Sequence, residues 1–194
     1  MPPLPASPTA SPTAPTAPPT AAMDVLKSLL PPAKGVLPYY MLILSVVSIG
    51  NSIQTYATLH FSRRVYNGRF VRNPKLPPAS ASFNPDDAVD RLVRAADQAD
   101  PRATDQMTPL AGRLFGTWTL ITCVVRCYAA YHLHLGPMYN IAIWTYVVAL
   151  GHFASELFVF KSMTFGLPQI FPFTLASCAL IWMPMVRDYY VESN

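Results

Sequence analysis

Four stretches of this chain run for roughly 19–24 residues with hardly a charge, the length that carries a helix across a hydrocarbon core. They are 38–59 (PYYMLILSVVSIGNSIQTYATL), 112–135 (GRLFGTWTLITCVVRCYAAYHLHL), 138–160 (MYNIAIWTYVVALGHFASELFVF) and 168–186 (PQIFPFTLASCALIWMPMV). Nothing else in the sequence limits the fold as strongly. Backbone amides in lipid must pair within the protein, so the choice is between helices and a closed barrel. No run alternates with period two, which leaves helices. The composition agrees: 52% of the residues are hydrophobic and only 12% are charged, against about 25% charged in soluble domains. Tyr39, Tyr40, Trp118, Tyr131, Tyr139, Trp144, Phe171, Trp182, Tyr189 and Tyr190 lie largely towards run ends, as an aromatic belt would. The expected fold class is an all-α membrane protein, four transmembrane helices in an antiparallel bundle over 36–191.

The connections differ in length. HLGPM (134–138) and KSMTFGL (161–167) are short enough to make hairpins of runs two with three and three with four. Between runs one and two lies a polar insert at about 73–108. Within it, DDAVDRLVRAADQAD (86–100) repeats Val89, Leu92, Val93 and Ala96 at helical spacing behind Asp86 and Asp87, which predicts a short surface helix. Residues 1–35 are rich in Pro, Ala, Ser and Thr, cannot build a core, and read as a disordered tail. Within that tail, DVLKSLL (24–30) could form a brief amphipathic turn.

Arg63, Arg64, Arg69, Arg72 and Lys75 follow run one, Arg113 opens run two and Lys161 follows run three. Basic residues flanking apolar runs set topology, so this side is expected in the cytosol with both termini on the other. That distribution also speaks against nucleic acid as a partner, because no soluble module gathers the positive charge. Cys123, Cys127 and Cys178 all sit inside apolar runs. They read as packing residues and not as a disulfide framework or metal site. Gly112, Gly116, Gly151, Ala154, Ser155, Ala176 and Ser177 offer small-residue contact faces.

Polar groups inside apolar runs are the place to look for function. The candidates are Asn51 and Gln54 in run one, Arg126 in run two, and His152 and Glu156, four apart, in run three. The chain has four histidines, too few and too scattered for a histidine-clustered iron site. His132 and His134, two apart, would diverge on a helix. No GxGxxG turn or GxSxG elbow occurs. A His152–Glu156 acid/base pair of the kind an isomerase uses stays open, as does a polar path for ions lined by Arg126, His152 and Glu156. The blander reading is a buried polar pair between runs two and three. Counted from Pro137, Arg126 and Glu156 differ in depth by about eight residues, roughly 12 Å, and His152 is nearer.

GNSIQTY (50–56), SRRVYNG (62–68), RLFGTWTLITCVVRCYAAYH (113–132), WTYVVALGHFASELFVF (144–160) and LASCALIWM (175–183) together resemble the ergosterol biosynthetic protein 28 family. The resemblance covers roughly 36–72 and 107–191; the tail and the insert at about 73–106 are longer than the family pattern. It implies a non-enzymatic scaffold, without a cofactor, that tethers the sterol C-4 demethylation enzymes to the endoplasmic-reticulum membrane. The implied partners are a sterol C-4 methyl oxidase, a decarboxylating sterol C-3 dehydrogenase and a 3-keto sterol reductase, with a sterol C-24 methyltransferase as a further associate in fungi. The C-terminal RDYYVESN has no retrieval signal, so residence there would rest on span length and partners.

Overall fold

The computed structural model describes residues 19–32, 34–75 and 92–192. The chain divides into two units, 1–32 and 33–194. In the first, α1 (Pro19–Ser28) is a helix where the composition suggested a tail. Its proline falls in the first turn, where the missing N–H costs nothing, and Ala, Met and Leu behind it are good helix formers. Residues 1–18 lie outside the described ones.

Helices occupy all four apolar runs: α2 (Leu37–Ala57), α4 (Pro109–Tyr131), α5 (Gly136–Ala154) and α6 (Leu167–Met185). Each begins with a proline in its first turn, which pre-sets φ at positions where an N–H would be unpaired anyway. Thr108 caps α4, its hydroxyl accepting from the Ala111 N–H at 3.1 Å. Among the described residues two helices are long and apolar enough to cross a membrane, Gly136–Val159 and Leu167–Met185. Only 22% of the most apolar window of each is buried, whereas the core helix of a soluble protein would be mostly covered.

α2 runs antiparallel to α4. Ser45 meets Cys123 through reciprocal hydrogen bonds to backbone carbonyls, and Thr55 and Leu59 meet Gly112 and Gly116 ten or more residues further along. A Cβ on Gly112 would fall 2.5 Å from Leu59 Cδ2, and one on Gly116 would overlap the Thr55 hydroxyl. The glycines four apart therefore let the two backbones approach as larger residues could not. The same geometry answers the cysteine question for Cys123: it is buried at this seam and donates to the Ser45 carbonyl at 3.2 Å. α5 is antiparallel to α6, Tyr139 donating to the Met183 carbonyl at 2.6 Å near one end and Phe153 packing on Phe173 near the other. Tyr139 is thus fully buried and not part of a belt. Tyr40 links α2 to α6 by donating to the Leu175 carbonyl at 2.8 Å.

α5 does not end cleanly. Ser155–Val159 widens into a π-helical turn, with the Phe160 N–H reaching back to the Ser155 carbonyl at 2.9 Å. Lys161 follows with φ +57°, a left-handed conformation that disfavours side chains other than glycine.

The insert is partly ordered, and not as the spacing predicted. Leu92–Arg94 is a strand (β2) paired antiparallel with Phe70–Arg72 (β1), with Val71 opposite Val93. Asp86, Asp87 and Val89 lie outside the described residues. Short helix α3 (His60–Val65) precedes β1. Period-3.6 spacing of a few apolar residues could not anticipate this, because the strand is held by tertiary contacts. Arg69 donates to the carbonyls of Gln98 and Ala103, Gln98 answers on the Arg69 backbone, and Phe70 bridges to Thr104. The fold is therefore mostly helical with a two-stranded ribbon at the end of the molecule where α2 stops and α4 starts. That end also carries the basic residues, and Arg63 pairs there with Asp105 at 3.4 Å.

Among the described residues, buried apolar side chains form two clusters. One holds Leu37, Met41, Ala130, Tyr139, Tyr146 and Met183. The other, at the ribbon end, holds Val65, Tyr66, Met107, Phe153 and Met163.

Candidate functional site

Arg126 is buried on α4, 8% exposed. Its expected partners were His152 or Glu156, and it takes neither. Nε donates to Thr145 Oγ1 at 3.0 Å and the guanidinium lies over the Tyr146 ring, 4.2 Å from its centroid. The reason is register. The hairpin brings α5 past α4 so that Thr145 and Tyr146 reach the level of Arg126, and the 12 Å depth difference to Glu156 stays unbridged. A cation on a ring face is attracted by the ring quadrupole, but that does not neutralise the charge.

His152 and Glu156 instead clasp the loops of the ribbon end. His152 Nε2 and Tyr66 Oη share a hydrogen bond at 2.7 Å, and the histidine ring packs against Trp118 and Phe153. Glu156 accepts from Ser162 Oγ at 2.5 Å, within the turn that follows its own helix. Tyr66 stands edge-on to Phe115 as well. Burial, reinforced by the Glu156 charge, pushes the Tyr66 phenol well above its ordinary value, so it stays protonated.

This clasp continues through the backbone. The Gly68 N–H donates to the Ser162 carbonyl at 2.8 Å, and Asn67 Oδ1 accepts from the Thr164 N–H at 2.7 Å. Gln169, fully buried at the start of α6, donates to the carbonyls of Arg64 and Val65 at 2.8 and 2.6 Å. A Cβ on Gly68 would fall 2.5 Å from the Lys161 carbonyl oxygen. The segment 64–68 is thus sewn to 161–169 by bonds that no periodicity reveals. Tyr66, Asn67, Ser162 and Gln169 were not singled out from sequence. The one signal was the YNG tripeptide, a turn-former beside a run of basic residues.

Between α2, α4, α5 and α6 lies a cavity of about 510 Å³, within the range of small-molecule sites, about 300–1,000 Å³. Its walls are mainly apolar, Leu44, Phe115, Trp118, Phe153, Phe171 and Leu175 among them. Arg126 and Tyr146 line it too, as do Asn51 and Gln54 on α2. Asn51 Oδ1 and Tyr146 Oη are buried without a hydrogen-bond partner among the described residues. Pro172, within α6, also lines it, where a proline removes one helical hydrogen bond. So Asn51, Gln54 and Arg126 share one space, while His152 and Glu156 are not among its lining residues.

His132 and His134, expected to diverge, come together with ring centroids 6.2 Å apart, because α4 stops at Tyr131 and both lie in the turn. Among the described residues no group of three or more His, Cys, Asp or Glu is placed to hold a metal ion.

Comparison with known proteins gives a consistent result. Residues 37–181 match the family model described as Erg28 like protein. The chain is 72% identical over 172 residues to Ergosterol biosynthetic protein 28 of Gibberella zeae, covering 89% of this chain and 100% of that one. It is 33% identical to Ergosterol biosynthetic protein 28 of Saccharomyces cerevisiae, over 81% of this chain and 84% of the relative. With the Homo sapiens Ergosterol biosynthetic protein 28 homolog the identity is 27%, over 81% and 88% of the two chains. No solved structure matches.

Proposed function

The chain belongs to the Erg28 like protein family, named for ergosterol biosynthesis, and from that premise we propose that it is a non-catalytic scaffold. It gathers the sterol C-4 methyl oxidase, the decarboxylating sterol C-3 dehydrogenase and the 3-keto sterol reductase at the endoplasmic-reticulum membrane, with a sterol C-24 methyltransferase as a further associate. All four long helices cross the bilayer in this reading, and the basic ribbon end faces the cytosol. Holding successive enzymes together makes each transfer of intermediate quasi-intramolecular, which raises effective concentration without any new contact to substrate.

The placement of His152 and Glu156 carries this reading over catalysis. A sterol isomerase would need an acid and a base facing bound substrate. Here each is engaged by a neighbouring loop residue, Tyr66 and Ser162, and neither lines the cavity. Outward apolar residues along α2 and α4, such as Ile43, Val46 and Ile53, then Leu114, Ile121 and Tyr128, supply surface for lipid or for partner helices.

Affinity capture of the tagged full chain from mild detergent tests the scaffold. The C-4 demethylation enzymes should be recovered together. Recovery of none of them, under conditions where another membrane complex stays whole, overturns the reading. The isomerase reading requires that the purified chain in lipid turn over a sterol alone, and that His152→Ala abolish flux while capture persists.

A further inference from the structure

The cavity contains an unsolved electrostatic problem. Among the described residues Arg126 is its one charged lining residue, and no carboxylate among them lines the space. A guanidinium stays protonated in proteins and is rarely buried unless paired. Nε is engaged by Thr145, and the two terminal nitrogens make no hydrogen bond among the described residues. The Tyr146 ring lies under the guanidinium, and its own Oη is closed off from the cavity. Two unspent guanidinium nitrogens therefore stand at the edge of an apolar space. The ligand chemistry that satisfies both is a carboxylate, which only accepts hydrogen bonds and can take a guanidinium on two oxygens. The rest of the cavity, about 510 Å³ walled by aromatic and aliphatic side chains, asks for an apolar body.

We propose that this cavity binds a carboxylate-bearing sterol, with the acid group held by the two free nitrogens of Arg126 and the ring system packed between Leu44, Trp118, Phe153 and Leu175. The choice of a sterol over another lipid acid rests on the function proposed above. Oxidation of a ring methyl group produces a carboxylic acid, and a decarboxylating dehydrogenase must be supplied with one. The scaffold would then hold the anionic intermediate between two of the enzymes it gathers.

Photoreactive diazirine analogues of a 4-carboxysterol, of the matching 4-methyl sterol and of palmitic acid test this on the purified full chain in lipid nanodiscs. Saturable labelling by the 4-carboxysterol is expected, with crosslinks on α4, α5 or α6. The 4-methyl sterol and palmitate should compete about tenfold or more less well, since they lack either the charge-assisted bonds or the ring body. Arg126→Gln should weaken 4-carboxysterol binding by about tenfold or more and leave 4-methyl sterol binding within about twofold. Tyr146→Phe keeps the ring under Arg126 and should leave binding of both sterols within about twofold. Where Arg126→Gln fails to elute as a folded species, the ligand competition on the unaltered chain and the cavity-filling Ala176→Leu decide, the latter abolishing labelling by both sterols. Equal binding of the 4-methyl sterol overturns the anion site, and equal competition by palmitate makes it a general fatty-acid site. Absence of saturable labelling in folded protein means the space is filled by a partner's helix or bulk lipid. Partner capture is scored separately: intact capture without binding sinks this proposal alone, and binding without capture sinks the scaffold alone.

Discussion

Gly116 on α4 faces Thr55 on α2 so closely that a single added Cβ would overlap the threonine hydroxyl. Tyr56, the next residue, shares a 2.6 Å hydrogen bond with Thr117. The α2–α4 seam is therefore set by the absence of a side chain, with a polar latch beside it.

Replacing Gly116 by Ala forces α2 outward. The expected loss is about 1–3 kcal/mol, the cost of overpacking a close contact, read as a lower midpoint in a thermal gel-filtration assay in detergent. Gly151→Ala is the control, because a Cβ there meets nothing within 4 Å. If the two variants melt together, close approach at Gly116 does not hold the seam.

Tyr66→Phe removes the phenol from His152 and leaves a half-buried ring nitrogen without its partner. It should cost about 1–3 kcal/mol. It should also raise amide exchange in 64–68 and 161–164, the two segments the clasp joins. Unchanged exchange there would show that the backbone bonds of Gly68 and Asn67 suffice.

Glu156 and Ser162 should couple. A double-mutant cycle with Glu156→Ala and Ser162→Ala is expected to return an interaction energy of about 1 kcal/mol, the scale of a side-chain hydrogen bond. A cycle that closes to zero would mean the contact is incidental to the turn.

Lys161 occupies the left-handed region at φ +57°, so Lys161→Gly should stabilise the chain by up to about 1 kcal/mol and Lys161→Val should destabilise it. Gly68 lies against the same turn, and Gly68→Ala should loosen it by pushing on the Lys161 carbonyl. Both effects are measurable as shifts in melting midpoint.

The four helices were legible because length, apolarity and first-turn proline are local properties that the chain carries whatever it packs against. Their ends, at Leu37, Pro109, Gly136 and Leu167, lie within a few residues of the apolar run boundaries. The family was legible too, because motifs such as FGTWTL and ALGHFASELFVF are themselves strings of residues. What the sequence left open were contacts between distant segments. Val93 and Leu92 showed helical spacing but became a strand, since a three-residue ribbon is decided by its partner at Phe70–Arg72. Arg126 was legible as a buried charge, but its partner depends on the depth at which two helices pass. Depth is set by side-chain packing along the whole hairpin and by the turn between the helices, not by the arginine. His152 and Glu156 were legible as a polar pair four apart in an apolar run; only the fold brought Tyr66 and Ser162 to meet them, closing loops across 86 and six residues of chain. Local chemistry determined where helices form. Tertiary structure decided which polar groups are spent on one another and which, on Arg126, are left facing an apolar space.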